Sequence, residues 1–562
     1  MAAPAGLAGL RLNTFCDSDR FRRLDELDAY ARSRQYEARR YDWDGRLRAS
    51  TGDFDIDPGW YVPLKRRKPS AIVDLPKLVV KRLVAMALGE EQWPEIGADG
   101  DSDTEDYVKT LAEVGNVQGK LQEAAERGVA CGTAVASFAY IEGKPRITVH
   151  RAKHVWVLRW KDRDEFVIAS ALKVYRYEVT GFEAGKPKKL VYYYARHWDE
   201  NTETVWDPIP DAKARDGTWP DAVPSVTVTH GYGDAPIYWT QNVADSETED
   251  GLSSYDGLLD NFDQMNTLLS ATLKGTVANV DPTLVIHDTP GANTGAIKKG
   301  SENAIYSEKG AEYLELTGQS VTTALELLSK NIQYALDVCG VVLGDPHKMG
   351  TSAQSAAAMK MLYLPMINTC DMLRTQYGNR FLVPLLTGML KAAKKIGTRA
   401  GGEILTTSDG RRLQVQPAVM LPPRLIVERE PGEAPPRRNP EELDPPKLPK
   451  AGEVKTRTEP RKPGTSENLT LKWPPYFRPT SQDLNQTVEA VNKAKGQLCS
   501  EETAVKYTAT MLGVKDVAEE LTAIQAEKAL NAAMYPGPEM LNPPGIEGGN
   551  GPKTPQGDED DE

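Results

Sequence analysis

Apolar and polar positions follow two different periods along this chain, and the changes of period divide it into regions. Apolar residues recur every three positions over residues 18–40, in a charged context that predicts an amphipathic helix. Helical spacing also predicts helices over residues 72–88 and 107–127. From residue 129 to about 238, β-branched and aromatic runs alternate with turns such as 143–145, which predicts a mainly antiparallel sheet. The first region is therefore predicted to be α+β.

Helical spacing returns in the centre of the chain. Ser253 and Asp256 have the spacing of a capping box, with Asp in place of the usual Glu or Gln, and predict a helix start. This helix should end near Asn279, because Asp281 precedes a proline and is pushed out of the helical region. A second helix is predicted from about Val321. The packing stripes assigned to the two helices are Leu258, Phe262, Met265, Leu269, Ala324, Leu328, Ile332 and Ala335. Lone helices of this kind cannot bury their faces, so copies of the same chain are candidate neighbours.

Short strands and a long third helix complete the central region. Runs at 284–286 and 304–306, broken by Pro-Gly and Lys-Gly turns, predict a small sheet between the two helices. A polar loop, GDPHKMGTSAQS at 344–355, follows the second helix. The third helix is alanine-rich at its start and should kink near Pro365 and Pro384, because an interior proline removes a backbone donor.

The last third of the chain changes in composition. Residues 399–468 are rich in Pro, Arg and Glu, with one plausible strand at 425–428, and predict an extended or mobile excursion. Order should return at 469–473, followed by two short helices within 481–511. The acidic, Pro- and Gly-rich end, 536–562, predicts a solvated disordered tail.

Size, charge and cysteine content limit the class of protein. A chain of 562 residues is too long for one core, so two to four packed units are expected. The net charge of -12 does not favour tight non-specific binding to the phosphate backbone of a nucleic acid. Five scattered cysteines lack zinc or disulfide spacing. No signal sequence and no apolar run of about 18 residues is recognisable, so a soluble, cytoplasm-made protein without a membrane partner is expected.

Motifs of catalysis or cofactor binding are not recognisable in the sequence. His150 and His154 have a spacing that could ligate zinc on a helix, but they fall in a strand region and are interpreted as sheet-edge histidines. Asp260 and Asp263 could pair as carboxylates, but are interpreted as solvent- or partner-facing. The basic run 65–68 could touch DNA or an acidic protein, and is interpreted as a solvated loop. We therefore predict no catalytic residue, no metal and no cofactor.

Three segments, in this order, carry a resemblance to a known family. Residues 231–286 contain a proline before an aromatic strand and then a helix that opens S-Y-D-G-L-L-D-N-F-D. Residues 326–363 contain a helix, the polar loop and the start of a long helix, and residues 469–507 contain a strand and the run S-E-E-T-A. The chain resembles the portal protein, or head-to-tail connector, of tailed double-stranded DNA bacteriophages. The excursion at 399–468 is longer than the family pattern needs.

The resemblance implies an α+β portal fold with a wing, a helical stem, a small α/β clip and a helical crown, assembled as a ring. It implies a wing at 1–252, a first stem helix at 253–279, a clip at 280–318, a second stem helix at 319–340, a tunnel loop at 341–352, a long kinked helix at 353–398, the Pro-rich excursion at 399–468, a closing strand with crown helices at 469–535 and the acidic tail at 536–562.

The resemblance also implies a function and a set of site residues. About a dozen subunits would form a channel at one capsid vertex of the virion, through which DNA is packaged and ejected. The tunnel loop at the narrow point would contain Val341, Val342, Leu343, Gly344, Asp345, Pro346, His347, Lys348, Met349, Gly350 and Thr351. The clip residues that would meet terminase and later the head–tail adaptor are Ile286, His287, Lys298, Lys299 and Tyr306.

The implied partners are copies of the chain, double-stranded DNA, terminase, the adaptor, and the major capsid and scaffolding proteins. An acidic channel wall would repel the phosphate backbone and let DNA move without being trapped. Lys348 would be a local exception as a weak phosphate contact, and the alternative is a solvated loop lysine.

Two other functions stay open at this stage. One is a different capsid-vertex or minor head structural protein, and the other is a cytoplasmic enzyme acting on nucleic acid or peptide through an unrecognised site. A measurement of particle mass separates them, because a ring weighs many times the 61.8 kDa chain.

Overall fold

The computed structural model divides the chain into two compact units. The larger unit comprises Met1–Asp345 and Tyr363–Tyr476, and the smaller comprises Pro346–Leu362 and Phe477–Glu562. The residues that the structure describes are 7–46, 62–141, 143–183, 186–280, 283–286, 311–314, 319–343, 356–396, 404–406, 412–415, 424–429, 454–459, 461, 463–477, 488–491 and 493.

The described helices and strands have the following bounds. The helices are α1 (Leu12–Cys16), α2 (Asp19–Ala31), α3 (Leu75–Leu88), α4 (Ser102–Val114), α5 (Val117–Cys131), α6 (Asp211–Asp216), α7 (Trp219–Ala222), α8 (Leu259–Val280), α9 (Gln319–Val338), α10 (Ala356–Leu362), α11 (Leu364–Arg374), a π-helix (Thr375–Leu382) and α12 (Val383–Ile396). The strands are β1 (Glu95–Gly97), β2 (Thr133–Ile141), β3 (Lys144–His150), β4 (Val155–Asp162), β5 (Val167–Glu183), β6 (Lys186–Trp198), β7 (Thr202–Trp206), β8 (Ile209–Pro210), β9 (Ser225–Thr229), β10 (Ile237–Gln241), β11 (Thr283–Ile286), β12 (Ala311–Leu314), β13 (Ile404–Thr406), β14 (Arg412–Val415), β15 (Arg424–Arg429), β16 (Val454–Glu459) and β17 (Thr470–Lys472).

The sheets of the larger unit are mainly antiparallel, as the alternating pattern predicts. The largest has eight strands, in the order β13-β14-β9-β7-β6-β5-β4 with β8 beside β6, and only its β14–β9 pairing is parallel. A second sheet, β10-β2-β3, is antiparallel throughout. Together with the helices, these sheets give the mixed helix-and-sheet architecture expected from the sequence.

One extended core joins the N-terminal helices to the central ones. It contains buried residues from α2, α3 and α5, from the three-stranded sheet, and from α8, α9, α11 and α12. The apolar stripe of α2 contributes as its spacing predicts, because Leu27 and Tyr30 enter this core and Leu24 enters a neighbouring one. Ser18 caps the helix by accepting a hydrogen bond from Phe21 N.

Three helix predictions are wrong in their bounds. The helix expected over 18–40 ends at Ala31, because Ser33 soon after it has a φ of 58°. The helix expected over 107–127 is two helices, α4 and α5, because Asn116 between them has a φ of 47° and cannot continue a right-handed helix. The first central helix begins at Leu259 rather than Ser253. Residues 254–257 form turns instead, and Gly257 has a φ of 80°, so the Ser253–Asp256 spacing is not a helix cap.

The Pro-rich excursion contains more ordered structure than its composition predicts. The strand expected at 425–428 is present as β15 and pairs with β16, while β14 extends the eight-stranded sheet. Near its end, Asp101 Oδ2 accepts hydrogen bonds from Thr465 N and Ser466 N, at 2.8 and 3.0 Å. These backbone donors lower the pKa of Asp101.

The closing strand at 470–472 returns to the N-terminal region. β17 pairs antiparallel with β1, which lies some 375 positions earlier in the chain. Next to it, the buried Arg374 donates to Ala87 O and Pro474 O, at 3.2 and 3.0 Å. Its guanidinium also lies 3.7 Å from the ring centre of Tyr476. The predicted crown helices within 481–511 and the tail at 536–562 fall almost entirely outside the described residues.

Candidate functional site

The two central helices, α8 and α9, form an antiparallel pair, and within the described residues the main core covers this pair at one end. Gly275, near the end of α8, lies opposite Val321, near the start of α9. At the other end of the pair, Phe262 and Met265 of α8 and Ala335 of α9 are buried in the main core. α8 has 22 residues and so is about 33 Å long. The half of the pair away from the core therefore lacks the cover that the other half has.

A polar cluster fixes the buried half of α8. Asp263 accepts hydrogen bonds from Tyr30 Oη and Tyr36 Oη, at 2.9 and 2.5 Å, and from Arg39 Nη2 at 2.8 Å. Asn266 Nδ2 donates to Tyr36 Oη at 2.8 Å. Burial and the neighbouring carboxylate raise the pKa of both tyrosines, so the hydroxyls stay protonated and donate. The prediction that Asp263 faces solvent or a partner is thus wrong, whereas Asp260 is exposed as expected.

Helix α2 fixes the turn that leads into α8. Arg20 donates to both carboxylate oxygens of Asp250, at 2.5 and 2.9 Å, and Thr133 Oγ1 donates to the same carboxylate at 3.0 Å. Arg23 pairs with Asp256 at 2.7 Å. Because bidentate arginine contacts restrict direction as well as distance, the entry to the helix has a defined orientation.

The predicted packing stripes lie largely inside this one chain. Leu258, Phe262, Met265, Leu328 and Ala335 are at most 7% exposed, and Leu269 and Ile332 pack against the same core. Ala324 is half-buried. Their predicted contact with other subunits stays a prediction, because the fold of a single chain already accounts for the burial of the first five.

Other apolar residues on the same helices are exposed, and the sequence analysis did not select them. Leu327, Tyr334 and Val338 are 50%, 57% and 53% exposed, and their spacing of seven and four puts them on one face of α9, the outer stripe of α9. On α8, Leu273, Val277 and Val280 are 45%, 65% and 81% exposed, and they continue the face of Phe262 and Leu269 at helical spacing beyond the core; we call them the outer stripe of α8. The helical spacing of these residues was a signal in the sequence, but spacing alone does not tell a face covered by the chain from an uncovered one.

The chain leaves α9 through a glycine-based C-cap. Gly340 has a φ of 65°, its N–H donates to Asp337 O at 3.0 Å, and Val341 N donates to Leu336 O at 2.9 Å. Val341 is buried and Val342 packs against the core, so this start of the predicted tunnel loop is fixed. Leu343 is 43% exposed. The rest of the predicted loop, Gly344 to Thr351, lies outside the described residues.

The predicted clip is only partly described. β11 pairs with β12, and Ile286 stands opposite Ala311. The strand predicted at 304–306 and the residues His287, Lys298, Lys299 and Tyr306 lie outside the described residues. The predicted contacts of these clip residues with terminase and the adaptor stay predictions.

The histidines and the basic run are placed differently from one another. His150 is the last residue of the edge strand β3, in line with the sheet-edge interpretation, but it is buried, and its Nε2 lies 2.8 Å from Ser137 Oγ. Burial lowers the pKa of His154 to about 4. In the basic run, Arg67 donates to Val62 O and Trp43 O, at 2.7 and 3.1 Å, while Lys65 and Arg66 are exposed. The solvated-loop interpretation of the run therefore fits only its first two residues.

Reactive groups are scarce in the described part of the chain. No cluster of three metal-ligating side chains occurs there, and none of its helices is long and apolar enough to cross a bilayer. Burial raises the pKa of the thiols of Cys131, Cys339 and Cys370 to about 12, which leaves them protonated and unreactive at neutral pH.

Comparisons with known proteins identify the family. The family model described as phage portal protein, SPP1 Gp6-like, matches residues 18–396, which are 379 of the 562 residues. Among solved structures, a chain of the virion of the native gene transfer agent (GTA) particle is 14% identical, over 56% of this chain and 76% of that chain, with a TM-score of 0.28. No curated protein sequence matches. The family match includes α2, the strands β1 to β12 and the whole α8–α9 pair, and the chain belongs to the SPP1 Gp6-like family of phage portal proteins.

Proposed function

We propose that copies of this chain form a closed ring of about a dozen subunits at one capsid vertex, and that the viral genome enters and leaves through it. The observation that carries the proposal is the pair of exposed apolar stripes on α8 and α9, in a chain whose family is that of phage portals. Exposed apolar patches that form a continuous face are typical of protein–protein contacts. A second copy of the same chain supplies a surface of the same kind.

The stripes favour a head-to-tail contact over a two-fold one. The outer stripe of α9 and the outer stripe of α8 lie on different helices, so one stripe of each copy can meet the other stripe of its neighbour. Repetition of such a contact closes a ring when the rotation between copies divides a full turn. The predicted stem residues Leu258 to Ala335 then hold each pair to its own subunit, and the outer stripes join the subunits.

The charges on the helix pair fit passage of DNA without tight binding. α8 contains Asp260, Asp263 and Lys274, and α9 contains Glu326, Lys330 and Asp337, so each has a net charge of -1. Asp263 is enclosed by two tyrosines and an arginine, and Lys274 pairs with Asp44. A nearly neutral, slightly acidic wall offers few cations to retain phosphates.

The finer assignments follow the family pattern. Residues 341–352 form the tunnel loop at the narrow part of the channel, with Lys348 as its cation. Ile286, His287, Lys298, Lys299 and Tyr306 in the clip dock terminase during packaging and the adaptor afterwards. Capsid and scaffolding proteins surround the ring. In this role, the chain itself carries out no catalysis and needs no metal or cofactor.

Particle mass and symmetry test the ring directly. Purified full-length chain should give a particle of about a dozen times 61.8 kDa in light scattering and a ring with a central hole in negative-stain images along its axis. A subunit that stays monomeric to tetrameric under all assembly conditions, with hydrolytic activity of its own, contradicts the proposal. A large particle without rotational symmetry indicates a different head protein.

Deletion of Asp345–Met349 tests the tunnel loop separately from assembly. Because the C-cap at Gly340 and the buried Val341 fix the chain before the deletion, folding and ring formation should persist while DNA packaging falls. The matched control is Lys348→Gln, which removes only the charge and should reduce packaging less. Loss of the ring after the deletion shows instead that these residues belong to the packed core.

A further inference from the structure

Strands β5 and β6 extend beyond the sheet that they belong to. β4 pairs with β5 only up to Lys173, and β7 and β8 pair with β6 only from Tyr192 onwards. Beyond Lys173 and Tyr192, β5 and β6 pair with each other and with no other described strand. Val179 stands opposite Leu190, and the pairing continues to Glu183 opposite Lys186. A two-stranded ribbon alone is marginally stable in water, so such an extension gains from a partner.

One face of this ribbon is aromatic. Tyr175 stands opposite Tyr194, with ring centres 4.9 Å apart, and Tyr177 stands opposite Tyr192, with ring centres 6.0 Å apart. The next pair outwards, Val179 and Leu190, is 44% and 37% exposed. Because side chains alternate along a strand, the tyrosines continue the side that is buried further in, where Ala171 and Trp198 belong to a core cluster. We call this surface, from Lys173 to Leu190, the tyrosine face.

The inner end of the tyrosine face is cationic. Lys173 stands opposite Arg196, and its Nζ lies 5.9 and 5.8 Å from the ring centres of Tyr175 and Tyr194. Its ammonium lies 3.2 Å from His150 Nδ1, which places the imidazole proton on Nε2, where it is donated to Ser137 Oγ. Burial and the nearby Arg196, Arg127 and Arg151 lower the pKa of Lys173 to about 8.

The charge of Lys173 is not neutralised by a carboxylate in the described part of the chain. Arg196 pairs with Glu203 at 2.7 Å and Arg127 with Glu123 at 2.5 Å. Arg151 lies 3.9 Å from Asp28, which is also bonded to Lys153 at 2.9 Å. Each of these three arginines thus lies beside a carboxylate. Lys173 instead lies beside the imidazole of His150 and the rings of Tyr175 and Tyr194. A half-buried cation in such a place favours an anionic group from outside.

We propose that the tyrosine face binds an extended acidic segment of another protein, with one carboxylate at Lys173 and apolar side chains along the tyrosines. Beyond Val179 and Leu190, none of the described strands pairs with the outer edge of β5 or β6, so the main-chain groups there can add hydrogen bonds to the bound segment, as in strand addition. The face itself selects alternating side chains, because neighbouring positions on an added strand point to opposite sides. The proposal concerns the sheet of the larger unit and does not depend on the ring.

A peptide-binding experiment tests the proposal. The probe is a blocked, fluorescently labelled ten-residue peptide in which Glu alternates with Val or Leu, and its partner probe has Lys in place of every Glu. Full-length chain should bind the acidic probe and not the basic one. Lys173→Gln should weaken binding by about tenfold, since a charge-assisted hydrogen bond is lost, and Lys173→Arg should restore most of it. Equal binding of both probes, or equal affinity for wild type and Lys173→Gln, overturns the proposal.

A matched control removes the same charge from the other side of the ribbon. Lys189 is 80% exposed and lies one position from Leu190, so its side chain points to the opposite face. Lys189→Gln should leave the affinity for the acidic probe within about twofold, because exposed charges contribute little. A loss as large as that of Lys173→Gln indicates general attraction rather than a site and overturns the proposal.

Chemical labelling gives a readout on the unaltered chain. A lysine with a pKa near 8 is acylated by acetic anhydride faster at pH 8 than ordinary surface lysines, and bound acidic probe should protect Lys173 selectively in peptide mass spectra. Unchanged labelling of Lys173 at saturating probe counts against the proposal. Protection in separated subunits together with no binding in assembled rings identifies a second copy as the occupant and overturns the choice of another protein.

Discussion

The eight-stranded sheet with its helices and the α8–α9 pair, which we assign to a wing and a stem as part of the proposed function, differ in how much of their apolar surface one chain can cover. In the wing, Tyr193, Trp198 and Trp219 are fully buried between strands and helices of the same chain. In the stem, the outer stripes of α8 and α9 leave six large apolar side chains between 45% and 81% exposed. The sheet region is therefore covered by its own chain, whereas the helix pair is covered at its core end and leaves apolar surface on one face of α9 and at the far end of α8 for copies of the chain in the proposed ring. Folding and assembly should respond to different residues of the same helices.

The largest expected effect comes from charging the outer stripe of α9. Leu327→Glu combined with Tyr334→Glu should abolish ring formation, because two carboxylates would have to be buried in an apolar contact. Light scattering should give the mass of a single chain, while circular dichroism stays that of the wild type, because both side chains are about half exposed before assembly.

The control for this variant places the same charges elsewhere on α9. Ser329 and Gln333 are exposed and lie away from the outer stripe, so Ser329→Glu with Gln333→Glu should still form rings. Failure of the control to assemble, or assembly of the stripe variant, contradicts the division of α9 into an inner and an outer face.

The next effect is on stability and concerns the inner face. Phe262 is 1% exposed in the core, and Phe262→Ala should lower the free energy of unfolding by about 3–5 kcal/mol through lost burial and a cavity. The measurement is urea unfolding of chains that also carry the two charged substitutions on α9, since assembly would otherwise add to the apparent stability. Val338→Ala, in the outer stripe of α9 and 53% exposed, should change it by less than about 0.5 kcal/mol. Equal effects at the two sites would remove the distinction between the faces.

A smaller effect should appear on mild acidification, and only in the wing. Burial lowers the pKa of His197 and His230 to about 4, so the unfolded chain binds more protons between pH 6.5 and 4 and stability falls as the pH drops through that window. From pH 7 to pH 5, each histidine should cost about 1–2 kcal/mol in urea unfolding. His197→Gln should remove part of this dependence.

The same acidification should leave the stem contact intact. α8 and α9 contain no histidine, the side chain whose ordinary pKa lies within this pH range. Ring mass at pH 5 should therefore equal that at pH 7 as long as the subunits are folded. Dissociation at pH 5 before any loss of near-ultraviolet circular dichroism would show that a titrating group lies in the contact.

The helical stripes and the antiparallel region were predictable because both depend on local periodicity. The start of α2, both ends of α3 and the end of α8 lie close to their predicted bounds for this reason. The break at Asn116 and the late start of α8 depend on single residues with positive φ, and a Gly-Asn pair at 115–116 was a signal that the periodic reading passed over. The Pro-rich region was expected to be extended because composition does not reveal a distant strand partner such as β9.

The site was less predictable than the fold because its key contacts are distant in sequence. Asp263 meets Tyr30, Tyr36 and Arg39 across more than 220 residues, so no local pattern could show that its carboxylate is enclosed. Likewise, Leu328 and Leu327 are neighbours in the same apolar run, yet one is buried and the other half exposed. Only the position of the core relative to the helix separates the two.

The return of β17 to β1 has a consequence for how the subunit is made. Residues 95–97 cannot form their strand pairing until residues 470–472 have been translated. The contact of Arg374 with the ring of Tyr476 also forms only after that point. In a polypeptide that ends before residue 470, strand β1 lacks its partner β17, and the locally unfolded region is open to proteases. In the proposed ring, an incomplete subunit would interrupt the contacts between neighbours. The late pairing of β17 with β1 would therefore favour incorporation of subunits that extend at least to residue 472.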